Sequence, residues 1–139
     1  MKYEAAIRSV LSEFKIGRNY SGYDYIIDGI NLMEEDESSI AHITKTLYID
    51  IANKHKTTNI CVERNIRTTI ENIWKNKNCN IELLIRIFGS DYLIYRPSNT
   101  KFFELLYHYV AACSREYAKK DCPHEGCEYC ILKCRQRNQ

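Results

Sequence analysis

The sequence predicts an all-α protein, a compact bundle of about six helices containing a helix-turn-helix. Three observations carry that expectation. Apolar residues recur at spacings of three and four along most of the chain, as in helices that bury one stripe. Short polar or glycine- and proline-bearing breaks separate those stretches. The region from Asp50 to Lys77 reads as two such stretches joined by a tight turn. A length of 139 residues suits one domain. That domain is expected over residues 1–120, with a Cys-rich tail at 121–139.

In chain order, Ile7, Val10, Leu11 and Phe14 predict a helix over Tyr3 to Lys15, ended by Gly17. Asn19 to Gly22 reads as a turn. Tyr23, Ile26, Ile27, Ile30 and Met33 predict a second helix to Glu34. The acidic run Glu34 to Glu37 reads as a solvated loop, because carboxylates oppose the dipole at a helix C-terminus. Ser38 and Ser39 are N-cap candidates for a helix over Ile40 to Tyr48. Asp50 to His55 and Thr58 to Lys77 form the central pair of helices. NKNCN at 76–80 is a polar loop, and Ile81 to Phe88 is a short helix stopped by Gly89. Asp91 to Arg96, rich in Tyr and Ile, is the candidate for a short extended wing. Pro97, Ser98 and Asn99 signal the start of a last helix to about Lys120. Phe102, Phe103, Leu106, Val110, Cys113 and Tyr117 share one of its faces.

In the central region the buried stripe is Val62, Ile66, Ile70, Ile73 and Trp74. The opposite face carries Asn59, Glu63, Arg64, Arg67, Thr68, Glu71 and Lys75. Ala52 is small enough for two helices to cross there, and Val62 lies ten residues on, which suits a helix-turn-helix. The turn lacks the usual glycine, and Lys56 stands near its place. The same pattern fits an ordinary amphipathic helix pair with a solvated face.

The strings ITKTLYIDIANK (43–54) and TTNICVERNIRTTIENIW (57–74) go further. Together with Gly22, Tyr23 and Tyr25 upstream and Phe88, Gly89, Pro97, Ser98, Asn99 and Phe102 downstream, they resemble a known domain. It is the C-terminal DNA-binding effector domain of the master sporulation response regulator of endospore-forming bacteria. The resemblance runs from about Ile7 to Ala118. It implies sequence-specific binding of double-stranded DNA, transcriptional control of sporulation, and homodimers on tandem sites. It also implies that Glu63, Arg64 and Arg67 touch DNA. Three positions depart from the family: Ile49 replaces a helix-breaking Pro, Cys61 an Arg, and Thr68 a His.

The chemistry agrees with that implication. Arg holds guanine through two hydrogen bonds and Glu accepts from cytosine, and base contacts lie near the start of a recognition helix. Phosphate contacts are expected from Lys45, Lys54, Lys56, Lys75 and Lys77, and from Thr57, Thr58 and Thr68, with Asn59 beside them. Arg96 and Lys101 flank the expected wing. The alternative is a local salt-bridge face, with Glu63 and Arg67 an i,i+4 pair.

A net charge of +2 does not by itself point to nucleic acid, so any basic surface must be local. No Ser/His/Asp order, phosphate-cradling glycine loop, catalytic carboxylate pair or HExxH occurs. No enzyme activity and no small-molecule substrate are expected. His42, His55 and His108 read as packed or surface residues. No apolar run approaches the roughly 18 residues of a membrane span, and the N-terminus lacks the pattern of a signal peptide. A cytoplasmic protein is expected.

The tail holds four of seven cysteines, Cys122, Cys127, Cys130 and Cys134, spaced C-x4-C-x2-C-x3-C. Four thiolates, or three with His124, could close a tetrahedral zinc site. Free thiols fit the same letters. The resemblance does not extend to the tail. The family couples this domain to a phosphorylated receiver, for which 139 residues leave no room. A constitutive DNA reader is therefore expected, or one gated by the tail. Two other readings stay open: a module that binds a regulator or another protein, and a metal- or redox-responsive regulator.

Overall fold

A computed structural model describes residues 3–36 and 43–118, with the backbone alone at 43–45 and 115–118. Six α-helices follow in the order α1 (Glu4–Glu13), α2 (Ser21–Glu35), α3 (Ile43–His55), α4 (Asn59–Lys75), α5 (Ile81–Phe88) and α6 (Asn99–Ala118). Short 3-10 turns occupy Lys77–Cys79 and Ser90–Leu93, and no strand occurs among the described residues. The all-α bundle expected from the apolar spacing is the observed architecture.

Most of the expected stripes are buried. Ile7, Leu11 and Phe14 from α1 meet Ile26, Ile30 and Met33 from α2, Leu47 and Ile51 from α3, and Phe103 and Val110 from α6. The α2 helix is central and packs on α1, α3, α4 and α6. Trp74, Phe88 and Phe102 form an aromatic group, with Phe88 stacked on Phe102 at 5.3 Å and Trp74 tilted against Phe88 at 5.0 Å. At the far end, the Asn76 amide donates to the Phe14 carbonyl at 2.9 Å. Asn80 donates to Glu13 at 3.1 Å and caps α5 by accepting from the Leu83 N–H at 3.0 Å.

The α2–α4 contact is close because Gly22 has no side chain. A Cβ there would lie 2.7 Å from the Asn65 carbonyl oxygen and overlap Thr69 Oγ1. Thr69 is itself buried, its hydroxyl donating to that same carbonyl at 2.9 Å. The two helices thus meet backbone to backbone at this point.

Several boundaries differ from the sequence expectation. At Ile49, however, the two stretches on either side run on as one helix, α3, as the replacement of the family's Pro allows, since Ile has neither the missing N–H nor the ring that makes proline a breaker. The Ser38 and Ser39 cap candidates lie outside the described residues. The first helix is closed by Lys15 rather than Gly17. Lys15 takes φ 61, while the Ile16 N–H reaches the Leu11 carbonyl at 2.9 Å and the Lys15 N–H reaches Ser12 at 3.0 Å. Ile16 and Leu11 are buried as the apolar partners of that Schellman closure.

Lys56 does the same for α3. Its φ is 55, and the Thr57 N–H bonds to the Ala52 carbonyl at 3.0 Å. The turn, which lacks the usual glycine, takes its positive φ at Lys56, the residue standing near the glycine's place. Left-handed backbone costs an L-residue about 1–2 kcal/mol, and the greater freedom of glycine in the unfolded chain returns roughly 0.5–1 kcal/mol of any gain. Lys56→Gly is expected to stabilise the fold by about 0.5–1 kcal/mol, read as a higher urea midpoint. A lower midpoint would show that the lysine side chain itself contributes to packing.

The expected wing at Asp91 to Arg96 is not extended; Ser90–Leu93 is a 3-10 turn and Ile94 is in the helical region at φ −91, ψ −45. The Trp74 indole N–H donates to the Tyr92 carbonyl at 2.7 Å, and Lys77 Nζ donates to Leu93 at 2.6 Å. Those carbonyls are satisfied by α4 and the turn after it, with no strand to pair with. Gly89 stops α5 as expected, at φ 89.

Candidate nucleic-acid interface

The α4 helix begins at an N-cap, Thr58, whose hydroxyl accepts from the Cys61 N–H at 3.1 Å. Its inner face is sealed by Val62, Ile66, Thr69, Ile70, Ile73 and Trp74. The outer face therefore has one composition: Asn59, Ile60, Arg64, Arg67 and Thr68 are exposed, and Glu63 is half-buried. The three-residue turn before it adds exposed Lys56 and Thr58 and half-buried Thr57. Of the expected DNA-contacting residues, seven (Lys56, Thr58, Asn59, Glu63, Arg64, Arg67 and Thr68) thus lie on the turn and the outer face of α4 beside Thr57. Lys45 is on α3, with its side chain outside the description.

Charge on this face is arranged unevenly. Glu63 and Arg67 form the i,i+4 pair that their spacing suggested, at 2.9 Å. Arg64 is exposed and pairs with no acidic group among the described residues. An exposed i,i+4 pair contributes about 0.3–0.5 kcal/mol. Arg67 can therefore exchange Glu63 for a stronger acceptor at small cost, and Arg64 has nothing to give up.

The expected lysines separate by partner. Lys77 is committed to the Leu93 carbonyl and Lys54 to Asp28, at 2.6 and 2.7 Å. Lys56 and Lys75 are exposed. Cys61 is half-buried, and the Asn65 amide donates to both its thiol, at 3.2 Å, and its carbonyl, at 3.0 Å. It does not extend the outer cationic face.

Two features were not read from the sequence. Asp28, on α2 and nearly buried, accepts from Lys54 Nζ, and His55 Nε2 lies 2.5 Å from its other oxygen. The Tyr25 ring packs edge-on against His55 at 5.0 Å. These contacts tie the end of α3, and so the turn before α4, to α2. An Asp on a helix looks solvent-facing in sequence, and only its position opposite His55 marks it otherwise. The second feature is the exposure of Ile60, at 65%. The apolar stripe of α4 omits position 60, a signal that was available.

Beside Glu63 and Arg67 an open cleft of about 670 Å³ reaches the turn Ile94 to Thr100, with Tyr48 and Asn99 on its walls. The Asn99 amide donates to the Glu63 carbonyl at 3.4 Å. The Tyr48 hydroxyl is buried without a full hydrogen bond. Burial pushes its pKa up, and the neighbouring Asn99 offsets only part of that. A raised pKa in the folded state means stability that is full below the unfolded tyrosine value and is lost as pH rises above it. Tyr48→Phe is expected to be neutral or stabilising by up to about 1 kcal/mol. It should also reduce the fall in stability above about pH 10. Urea melts at neutral and alkaline pH check both. A loss of several kcal/mol would show that the hydroxyl is fully bonded.

The tail residues Cys122, Cys127, Cys130 and Cys134 lie outside the described residues, and with them the zinc expectation. Among the described residues no group of three or more His, Cys, Asp or Glu could hold a metal ion. No helix among them is long and apolar enough to cross a membrane.

A sequence model of the family described as "Sporulation initiation factor Spo0A C terminal" matches residues 7–110. That span takes in most of α1, all of α2 through α5, the cleft, and most of α6. It contains every described residue of the outer α4 face. The chain therefore belongs to the Spo0A C-terminal family of sporulation-related DNA-binding domains.

Proposed function

We propose that this chain is a sequence-specific transcription regulator that reads double-stranded DNA by placing the first turns of α4 in the major groove. The α3 helix, the Lys56–Thr58 turn and α4 together act as the helix-turn-helix. The observation that carries this reading is Arg64, an exposed guanidinium with no acidic partner among the described residues, near the start of a helix whose other face is sealed in the core. Arg64 would hold a guanine and Glu63 would accept from a cytosine. Arg67 and Thr68 would extend contact by one turn. Exposed Ile60 suits a thymine methyl group. Lys56, Thr58 and Asn59 at the turn, with Lys45 on α3, are placed for phosphates. Cys61 and Thr68 stand where the family has Arg and His, so the preferred site should differ at the bases those positions reach. Homodimers on tandem sites remain part of the proposal.

The test is selection from a random duplex library with the purified chain. An enriched motif containing at least one guanine, lost with Arg64→Ala, is the expected result. No enrichment over repeated rounds would overturn the DNA-reading proposal. The chain would then be better read as a module that binds another protein.

A further inference from the structure

We propose that the turn from Ile94 to Ser98 is a second DNA-contacting element, gripping the sugar-phosphate backbone beside the groove that α4 enters. The inference rests on the reading of α4 given above. Ile94 and Tyr95 are exposed at 79% and 75%, more than any other large apolar side chain described. Single exposed apolar residues are ordinary. These two are adjacent, and a braced segment holds them in water. Trp74 and Lys77 hold the carbonyls just before them, Pro97 is buried just after them, and Arg96 Nη2 pairs with Glu71 on α4 at 3.2 Å. The brace fixes the turn to the C-terminal half of α4.

The position of the turn selects the partner. The turn and α4 line one open cleft together, Glu63 and Arg67 from α4 and Ile94 to Ser98 from the turn. A duplex seated on α4 carries one of its strands past that cleft. A DNA strand offers phosphate oxygens alternating with apolar deoxyribose faces, which suits a tyrosine ring, its hydroxyl and a guanidinium side by side. Arg96 is half exposed, and its pair with Glu71 lies at the surface, where such a pair contributes little. A phosphate can take the guanidinium from the carboxylate. Two side chains are too small a patch for a stable protein dimer, which covers about 800 Å² on each partner.

Fluorescence anisotropy over a salt series tests this with the parent chain and Tyr95→Ala, Tyr95→Phe, Arg96→Gln, Glu71→Gln and Arg64→Ala. The probes are a selected duplex and a scrambled duplex that both extend past the motif. Tyr95→Ala and Arg96→Gln are expected to weaken both duplexes by about 3–10-fold and leave their ratio unchanged, as backbone contacts do. Arg96→Gln should also lower the salt slope by about 1. Glu71→Gln should tighten both, because it releases Arg96, and Tyr95→Phe should fall between parent and Tyr95→Ala. If Tyr95→Ala and Arg96→Gln bind like the parent while Arg64→Ala loses discrimination, α4 reads DNA and the turn does not. If the parent discriminates between no two duplexes, both readings fall together. If Tyr95→Ala abolishes self-association without DNA and leaves DNA affinity unchanged, the turn belongs to a second copy and the proposal is overturned.

Discussion

Arg64→Ala should remove about 1–3 kcal/mol of binding to a selected duplex, a drop of roughly fivefold to 150-fold in affinity. The loss should fall on the selected sequence far more than on a scrambled one. The reason lies in the geometry of the outer face. Arg67 spends its charge on Glu63 at 2.9 Å, Arg96 on Glu71 and Lys101 on Glu104. Arg64 alone among Arg64, Arg67 and Arg96 lacks such a partner among the described residues, so its full charge and its fork are available to a base pair. Its removal disturbs no packing, because the side chain is exposed. The thermal melt should be unchanged within about 0.5 kcal/mol. Arg64→Lys keeps the charge but not the fork. It should hold affinity for the scrambled duplex and still lose most of the discrimination. Equal loss on both duplexes would make Arg64 a phosphate contact and shift base reading to other residues.

Gly22→Ala should destabilise the fold by about 1–3 kcal/mol. Alanine favours a helix over glycine by about 0.5–1 kcal/mol, so a gain would be expected at a free position. Here the added methyl overlaps Thr69 Oγ1 and comes within 2.7 Å of a backbone carbonyl. The threonine can be trimmed, but the carbonyl cannot move without moving α4. Thr69→Ala in the same chain should therefore recover part of the loss and not all of it. Urea denaturation of the two single variants and the double variant measures this. Full recovery would locate the clash in the side chain alone, and an unchanged midpoint for Gly22→Ala would mean that α2 and α4 do not touch there. The displacement should also reach the DNA face, since the same helix carries Arg64.

The sequence exposed the helices well where periodicity decides the outcome. Val62, Ile66, Ile70, Ile73 and Trp74 marked the inner face of α4, and its outer face followed from what remained. Phe102, Phe103, Leu106, Val110 and Cys113 are buried as their spacing required, while the Tyr117 side chain lies outside the description. Features that depend on how a helix end closes, or on partners distant in the chain, were not visible. Lys15 and Lys56 adopt backbone that local preference disfavours, because the Schellman closures at Leu11 and Ala52 satisfy carbonyls that would otherwise be left unpaired. The Asp91 to Arg96 stretch has strand-like composition. It is curled by hydrogen bonds from Trp74 and Lys77, 16 to 18 residues away. Asp28 anchors His55 across 27 positions. The closures at Lys15 and Lys56 are local backbone geometry and the contacts at Asp28 and at 91–96 are tertiary, and periodicity carries no record of either. For the site, the residues were legible but their state was not: the letters do not show that Arg67 is paired and that Arg64 has no acidic partner among the described residues.

The central claim is that α4 reads a specific sequence. Fluorescence anisotropy near 0.15 M salt, with a selected duplex against a scrambled duplex of equal length, tests it most directly. The expected gap between the two is roughly 4 kcal/mol or more, shrinking by about 1–3 kcal/mol with Arg64→Ala. Equal affinity for both duplexes, unchanged by that substitution, would contradict it.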